Sequence, residues 1–213
     1  MAKYRKFTKS FGLLAPPDLL KEWHPTKNGK KKPEDYSPGS NVKIWWKCSK
    51  GHEWQSIILH RFNGSHCPYC QNKVPCEDNC LATINPELAK EWHPSKNGDF
   101  TPKDVVPKSQ KKAWWICKKG HQWQAALYHR SRGQGCPYCT GVKVCDDNCL
   151  ATNKPALAKE WHTKKNGKLT PKDVVAGSRK TVWWKCSKGH EWQAVIHNRP
   201  RCPICRKFEQ SSK

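Results

Sequence analysis

The stretch WWKCSKGHEW at residues 45–54 returns as WWICKKGHQW at 114–123 and as WWKCSKGHEW at 183–192, so the chain repeats itself every 69 residues. Such a period means that one supersecondary unit is written three times. A unit of this size buries little apolar surface on its own and commonly needs a staple. The 13 cysteines are the obvious source.

Their spacing is regular. Cys48, His52, Cys67 and Cys70 form a C-x3-H-x14-C-x2-C set, and Cys117, His121, Cys136 and Cys139 repeat it. The third set is Cys186, His190, Cys202 and Cys205, three residues shorter between its two pairs. Structural zinc takes four tetrahedral ligands, two from each of two tight turns, and Cys3His is an ordinary set. A lone C-x2-C would be weak, but three matched sets in register predict three Zn2+ per chain and argue against redox pairs. Four protein ligands leave no open position for catalysis.

The fold class expected is small α+β: three zinc-stapled modules, each a β-hairpin with short helices. The boundaries fall at a basic tail 1–9, repeats 10–75, 76–144 and 145–206, and a tail 207–213. LAPPDLLKEWHPTKNG (14–29) recurs as LATINPELAKEWHPSKNG (81–98) and LATNKPALAKEWHTKKNG (150–167). In the second copy Asn85, Pro86 and Glu87 give a helix start, and the helix is expected to run to about Gly98. Thr101-Pro102-Lys103-Asp104 and Thr170-Pro171-Lys172-Asp173 each predict a capped single turn. Lys32 replaces the capping Thr in the first copy, so that turn should be the weakest.

The Trp-Trp segments read as strands, whose pleat sorts side chains onto two faces. Ile44, Trp46 and Cys48 share one face; Lys43, Trp45 and Lys47 share the other. Trp46, Trp115 and Trp184, with Trp54, Trp123 and Trp192, are expected to fill the core, as are Trp23, Trp92 and Trp161. Of Trp45, Trp114 and Trp183, two are flanked by lysine on their own face; these tryptophans either stack on a partner or are covered by the next module.

Four cysteines remain. Cys76, Cys80, Cys145 and Cys149 stand in CEDNC and CDDNC, and read as small buried thiols at the start of the short helix rather than as a fourth metal cluster. His60 and His129 should face solvent or lie just outside the zinc ligands. His24, His93 and His162 should cap or pack.

Lys and Arg total 40 against 17 Asp and Glu, a formal charge of +23. Each Cys3His–Zn2+ site carries a net −1, which brings the total to about +20. Such an excess points to a polyanionic partner, nucleic acid first. MAKYRKFTKSF has no apolar run suited to a secretory signal, and neither a spanning stretch nor a long amphipathic helix is written in the chain. An intracellular protein without a membrane partner is the expectation.

LAKEWHPSKNG, WWxCxKGHxW and GCPYC together resemble a family of tandem zinc-ribbon or treble-clef repeats, over about residues 10–206. The resemblance implies that the first ligand pair sits on a knuckle between strands and the second near a short helix. Members of that family often stand beside nuclease-like domains, which implies nucleic acid, DNA ahead of RNA, with any nuclease a separate partner. The PRCPIC ending departs from the GCPYC pattern, so the last module's contact surface need not follow the others.

The function expected is non-enzymatic, zinc-dependent nucleic-acid binding; an RNA-bound structural part of a ribosome-like ribonucleoprotein is the alternative. The phosphate contacts expected are Lys50, Lys119 and Lys188 in the knuckle turns and Arg61, Arg130 and Arg199 after the returning strands. Lys43, Lys47, Lys112 and Lys185 stand beside Trp45, Trp114 and Trp183 as further contacts. Reading Glu91-Trp92-His93 and its copies as nuclease centres is the remaining possibility, weakened by three identical sites in one short chain.

Overall fold

The computed structural model describes residues 9–211, so most of the basic tail lies outside it. Two compact units divide the chain: residues 1–113 with 126–131, and residues 114–125 with 132–213. The middle repeat is thus shared, its opening in one unit and its hairpin and ligands in the other.

Each repeat has two short helices followed by a β-hairpin; the first two add a 3-10 turn before the hairpin and a short helix after it, and the third adds a longer helix at its second ligand pair. The first holds α1 (Phe11–Leu14), α2 (Pro17–Lys21), a 3-10 turn at Pro33–Asp35, β1 (Lys43–Lys47), β2 (Glu53–Ile57) and α3 (Ile58–Phe62). The second holds α4 (Leu81–Ile84), α5 (Pro86–Ala89), a 3-10 turn at Pro102–Asp104, β3 (Lys112–Ile116), β4 (Gln122–Ala126) and α6 (Leu127–Ser131). The third holds α7 (Leu150–Asn153), α8 (Pro155–Ala158), β5 (Thr181–Lys185), β6 (Glu191–Val195) and α9 (Pro203–Ser211). Residues 207–211, read from the sequence as tail, continue the helix that carries Cys205. No helix of the described residues is long and apolar enough to cross a membrane.

Every sheet is a two-stranded hairpin. Its register pairs Trp46 with Trp54 and Lys47 with Glu53, and likewise Trp184 with Trp192 and Lys185 with Glu191. Burial alternates along β1, β3 and β5 as the pleat requires. Trp46, Trp115 and Trp184 are fully buried. A buried indole N–H needs an acceptor. Each finds one across the hairpin: Trp46 donates to Ser56 O at 3.0 Å, Trp115 to Ala125 O at 3.0 Å and Trp184 to Ala194 O at 3.1 Å.

A two-stranded hairpin is marginal in water and needs cover. The Glu-Trp-His segment supplies it. Trp23 meets Trp46 edge-on at 5.5 Å, and Trp161 meets Trp184 at 5.6 Å. Lys47 N donates to Glu22 O at 2.7 Å, and His24 N donates to Trp45 O at 3.1 Å, so this segment pairs along the edge of β1. Asn28 extends the pairing with its side chain: Oδ1 accepts from Trp45 N at 2.9 Å, and Nδ2 donates to Trp45 O at 3.0 Å. Asn166 serves Trp183 in the same way. The helix expected to reach about Gly98 stops far earlier, at Ala89, as it does at Lys21 and Ala158 in the other two copies, where this edge pairing takes over from it. The helical start holds: Asn85 Oδ1 accepts from Leu88 N at 3.0 Å.

The turn after Lys32 forms without a hydroxyl cap, because Asp35 accepts from Lys32 N at 2.8 Å. In the second copy Thr101 Oγ1 adds a bond from Lys103 N at 3.3 Å.

Candidate metal centres and the flanking surface

The first two ligands of each set come from the hairpin turn. Cys48 N donates to His52 O and Gly51 N to Cys48 O, at 3.1 and 2.9 Å. Gly51 takes a φ of 86°, with 82° at Gly120 and 84° at Gly189, a region closed to most side chains. Burial pushes the Cys48 thiol up, but N–H groups of Lys50 and His52 aimed at its sulfur bring it below the ordinary thiol range. The same opposition leaves Cys117 at about 7. The knuckle is thus built for a thiolate.

The second pair arrives on the Cys-Pro-x-Cys turn, which in the third repeat opens α9. Four ligand atoms then converge within 4.8 Å of one another in every repeat. In the first, Cys48 Sγ stands 3.8 Å from Cys70 Sγ, and His52 Nδ1 stands 3.4, 3.6 and 3.3 Å from the sulfurs of Cys48, Cys67 and Cys70. A tetrahedral ion with ordinary Zn–S and Zn–N bonds requires about 3.8 Å between sulfurs and about 3.6 Å from sulfur to nitrogen. The second repeat matches the first to within 0.1 Å, and the third is slightly wider, with Cys186 Sγ 4.0 Å from Cys205 Sγ.

Three thiolates brought this close repel one another. Burial and the neighbouring sulfurs of Cys67 and Cys48 push Cys70 up to about 12; Cys139 reaches about 12 and Cys205 about 11 for the same reasons. A dication removes this conflict by stabilising all three thiolates. The donor set and geometry therefore fit three zinc ions, one per repeat.

The four other cysteines do two different things. Cys80 and Cys149 are buried at the starts of α4 and α7, as expected. Cys76 and Cys145 are half-buried and face the zinc histidine of the preceding repeat, each with an aspartate two residues on. His52 Nε2 lies 3.1 Å from both oxygens of Asp78 and 3.6 Å from Cys76 Sγ. His121 repeats this with Asp147 at 3.0 Å and Cys145 at 3.6 Å. Cys76 Sγ and Asp78 Oδ1 are only 2.6 Å apart, against about 3.5 Å for a thiolate and a carboxylate sharing one zinc ion. The trio is a hydrogen-bonded cluster around the outer nitrogen of a zinc ligand. His60 and His129 face solvent.

The expected phosphate contacts separate into two groups. Lys43, Lys47, Lys50, Lys112, Lys119, Lys185 and Lys188 are exposed. The arginines are not available, which corrects the reading from sequence. The side chains of Arg61, Arg130 and Arg199 are only 3 %, 4 % and 9 % exposed. Arg61 pairs with Glu22 and donates to Ser65 O; Arg130 meets Glu91 at 2.5 Å, and Arg199 meets Glu160 at 2.6 Å. Arg61 also lies over Trp46 and Trp54, at 5.1 and 5.3 Å from the ring centres. A buried guanidinium needs a carboxylate, and a rigid planar one also seals an indole face. The sequence carried a sign of this pairing: the Glu and the Arg stand 39 residues apart in all three copies.

Trp45, Trp114 and Trp183 are half-buried. Lys27 Nζ sits 4.5 Å above the Trp45 ring, and Lys165 Nζ 4.2 Å above Trp183. The same lysines bond Glu53 and Glu191, which His24 Nε2 and His162 Nε2 also approach, at 3.1 and 2.9 Å. Lys27 foremost, then His24, holds Glu53 down at about 2, and Lys165 with His162 does so for Glu191. His24 Nδ1 accepts from Thr26 and Lys27 N–H groups, which makes it the cap of the turn after Trp23. The second repeat has Gln122 where Glu53 and Glu191 stand, and Ile116 where Lys47 and Lys185 stand, so both cross-strand charges are replaced together.

Residues 19–73, 88–142 and 157–207 each match the family described as "Probable Treble clef zinc finger domain". The chain is also similar to an uncharacterized protein of Acanthamoeba polyphaga mimivirus, 23 % identical over 95 % of this chain and 54 % of that relative. It thus spans about half the length of the relative.

Proposed function

We propose a binding role for this chain, which belongs to the probable treble clef zinc finger family: three zinc-stapled modules that hold nucleic acid without catalysis. One observation carries the proposal. The outward hairpin faces and the knuckle turns present lysines and half-buried tryptophans at matching positions in successive repeats. Lys43, Trp45, Lys47 and Lys50 recur as Lys112, Trp114 and Lys119 and as Trp183, Lys185 and Lys188. Lysines at such intervals suit phosphates, and a tryptophan among them suits a base or sugar edge.

The Glu-Trp-His triplets do not serve as nuclease centres in this reading. Their glutamates are bound to buried arginines and their histidines cap turns. Duplex DNA is the favoured ligand, with a separate nuclease or a ribonucleoprotein as further partner.

Binding of the zinc-loaded protein to duplex DNA, single-stranded DNA and structured RNA across a salt series tests the proposal. Each phosphate contact on a duplex should steepen the log–log salt slope by about 0.9. Preference for structured RNA would replace the DNA reading with a ribonucleoprotein one. Weak binding to all three at moderate salt would overturn both and point to a protein partner.

A further inference from the structure

Among the described residues, the zinc sites of the first two repeats have a feature that the third does not. His52 and His121 place Nδ1 toward the sulfurs and Nε2 toward Asp78 and Asp147, residues of the C-x-D-N-C segment that opens the next repeat. That segment is locked in place by its asparagine. Asn79 Nδ2 donates to Tyr69 O at 2.7 Å and Val74 O at 2.9 Å, while its Oδ1 accepts from Cys76 N at 2.7 Å. Asn148 does the same with Tyr138 O, Lys143 O and Cys145 N. The tyrosine anchored this way is the one inside Cys-Pro-Tyr-Cys, and its ring lies against the zinc histidine, 5.3 Å between centres in both repeats. In the third repeat that position is Ile204. Among the described residues no carboxylate stands at hydrogen-bonding distance from His190.

We propose that Asp78 and Asp147 are positioning residues for the zinc histidines, forming clasps through which each following segment secures the zinc of the repeat before it. Among the described residues the third site has no such clasp, so within this three-repeat chain it is the labile one. A carboxylate accepting from the outer ring nitrogen fixes the tautomer, aims the other lone pair at the metal and makes the imidazole a stronger donor; losing such a partner typically weakens metal binding 10–100-fold. The clasp works in both directions. Zinc holds the histidine to which Asp78 bonds, so zinc in the first repeat also orders the segment that ends in Cys80 and the start of α4. Asp147 and α7 have the same relation to the second zinc.

The test is zinc transfer from the loaded three-repeat chain to a chromophoric chelator. One zinc per chain should leave first and two about 10–100 times more slowly. Cys205→Ser should abolish the fast phase and leave two slow equivalents. Asp78→Asn with Asp147→Asn should bring the two slow zinc ions toward the fast rate without moving the third; the single variants should each release one. Site-specific acceleration separates positioning from a general loss of stability, which would speed all three sites together. A single release phase in the parent chain, or unchanged slow phases in the double variant, would overturn the proposal. So would more than three zinc ions per chain returning to three in Cys76→Ser with Cys145→Ser, because the trio would then hold an ion of its own.

Discussion

The two faces of the first hairpin use the same pair of residue types, a tryptophan under a cation, to opposite ends. Inside, Arg61 lies over Trp46 and is tied to Glu22, with almost no solvent contact. Outside, Lys27 lies over Trp45, tied to Glu53, and keeps 44 % of its side chain exposed. The inner cation must be rigid and fully bonded because water cannot reach it. The outer one is a flexible ammonium that a phosphate can recruit, because its ion pair in water is weak. Cation and ring alone therefore do not mark a nucleic-acid contact; exposure and the strength of the competing carboxylate decide.

Zinc removal should abolish both faces at once. Structural zinc contributes roughly 10–16 kcal/mol in small zinc modules, so chelation should collapse the tryptophan fluorescence spectrum of every repeat toward that of exposed indole. Survival of the hairpins without metal would mean that the tryptophan core is sufficient.

Trp46→Ala and Trp184→Ala should each cost about 3–5 kcal/mol in denaturant titrations, as large core deletions do, whereas Trp45→Ala should cost much less. A comparable loss at Trp45 would make the outer face part of the core and undo the contrast.

Arg61→Ala should destabilise by about 3 kcal/mol, at the low end for a broken buried pair because Glu22 remains partly exposed. It should leave the salt slope of nucleic-acid binding unchanged. Charge removal at Lys43, Lys47 and Lys50 should do the reverse, lowering the slope with little change in stability. A large slope change in the arginine variant would restore Arg61 as a phosphate contact.

Asn28→Ala should cost about 1–2 kcal/mol, since it leaves the Trp45 N–H and C=O without their side-chain partners. The same change at Asn166 should act equally on the third hairpin. Unfolding midpoints of the two variants compare the edges directly.

The readings that held concern neighbours in sequence. C-x3-H spans one turn, so the ligand pair meets wherever that turn forms, and pleating assigns Trp46 and Trp45 to opposite faces without further information. The helix end was misplaced for the opposite reason. Pro25 and Pro94 set a local limit at His24 and His93, but the third copy, with Thr163 in that place, ends its helix just as early; in the first copy the segment is held by an edge of β1, more than twenty residues downstream, bonding to Glu22 and His24.

The sequence by itself determined the threefold repeat, the twelve zinc ligands and the inward set of strand tryptophans, because the first two are written as recurrence of the same spacing at a 69-residue period and the third follows from the pleat of one strand. Tertiary structure alone decided that Arg61, Arg130 and Arg199 are buried, and that Asp78 and Asp147 reach back to the zinc histidines. Those contacts join residues 39 and 26 positions apart. Whether a charged side chain at such a distance finds a carboxylate, a histidine or water depends on where the folded chain returns, and local propensity carries no information about that.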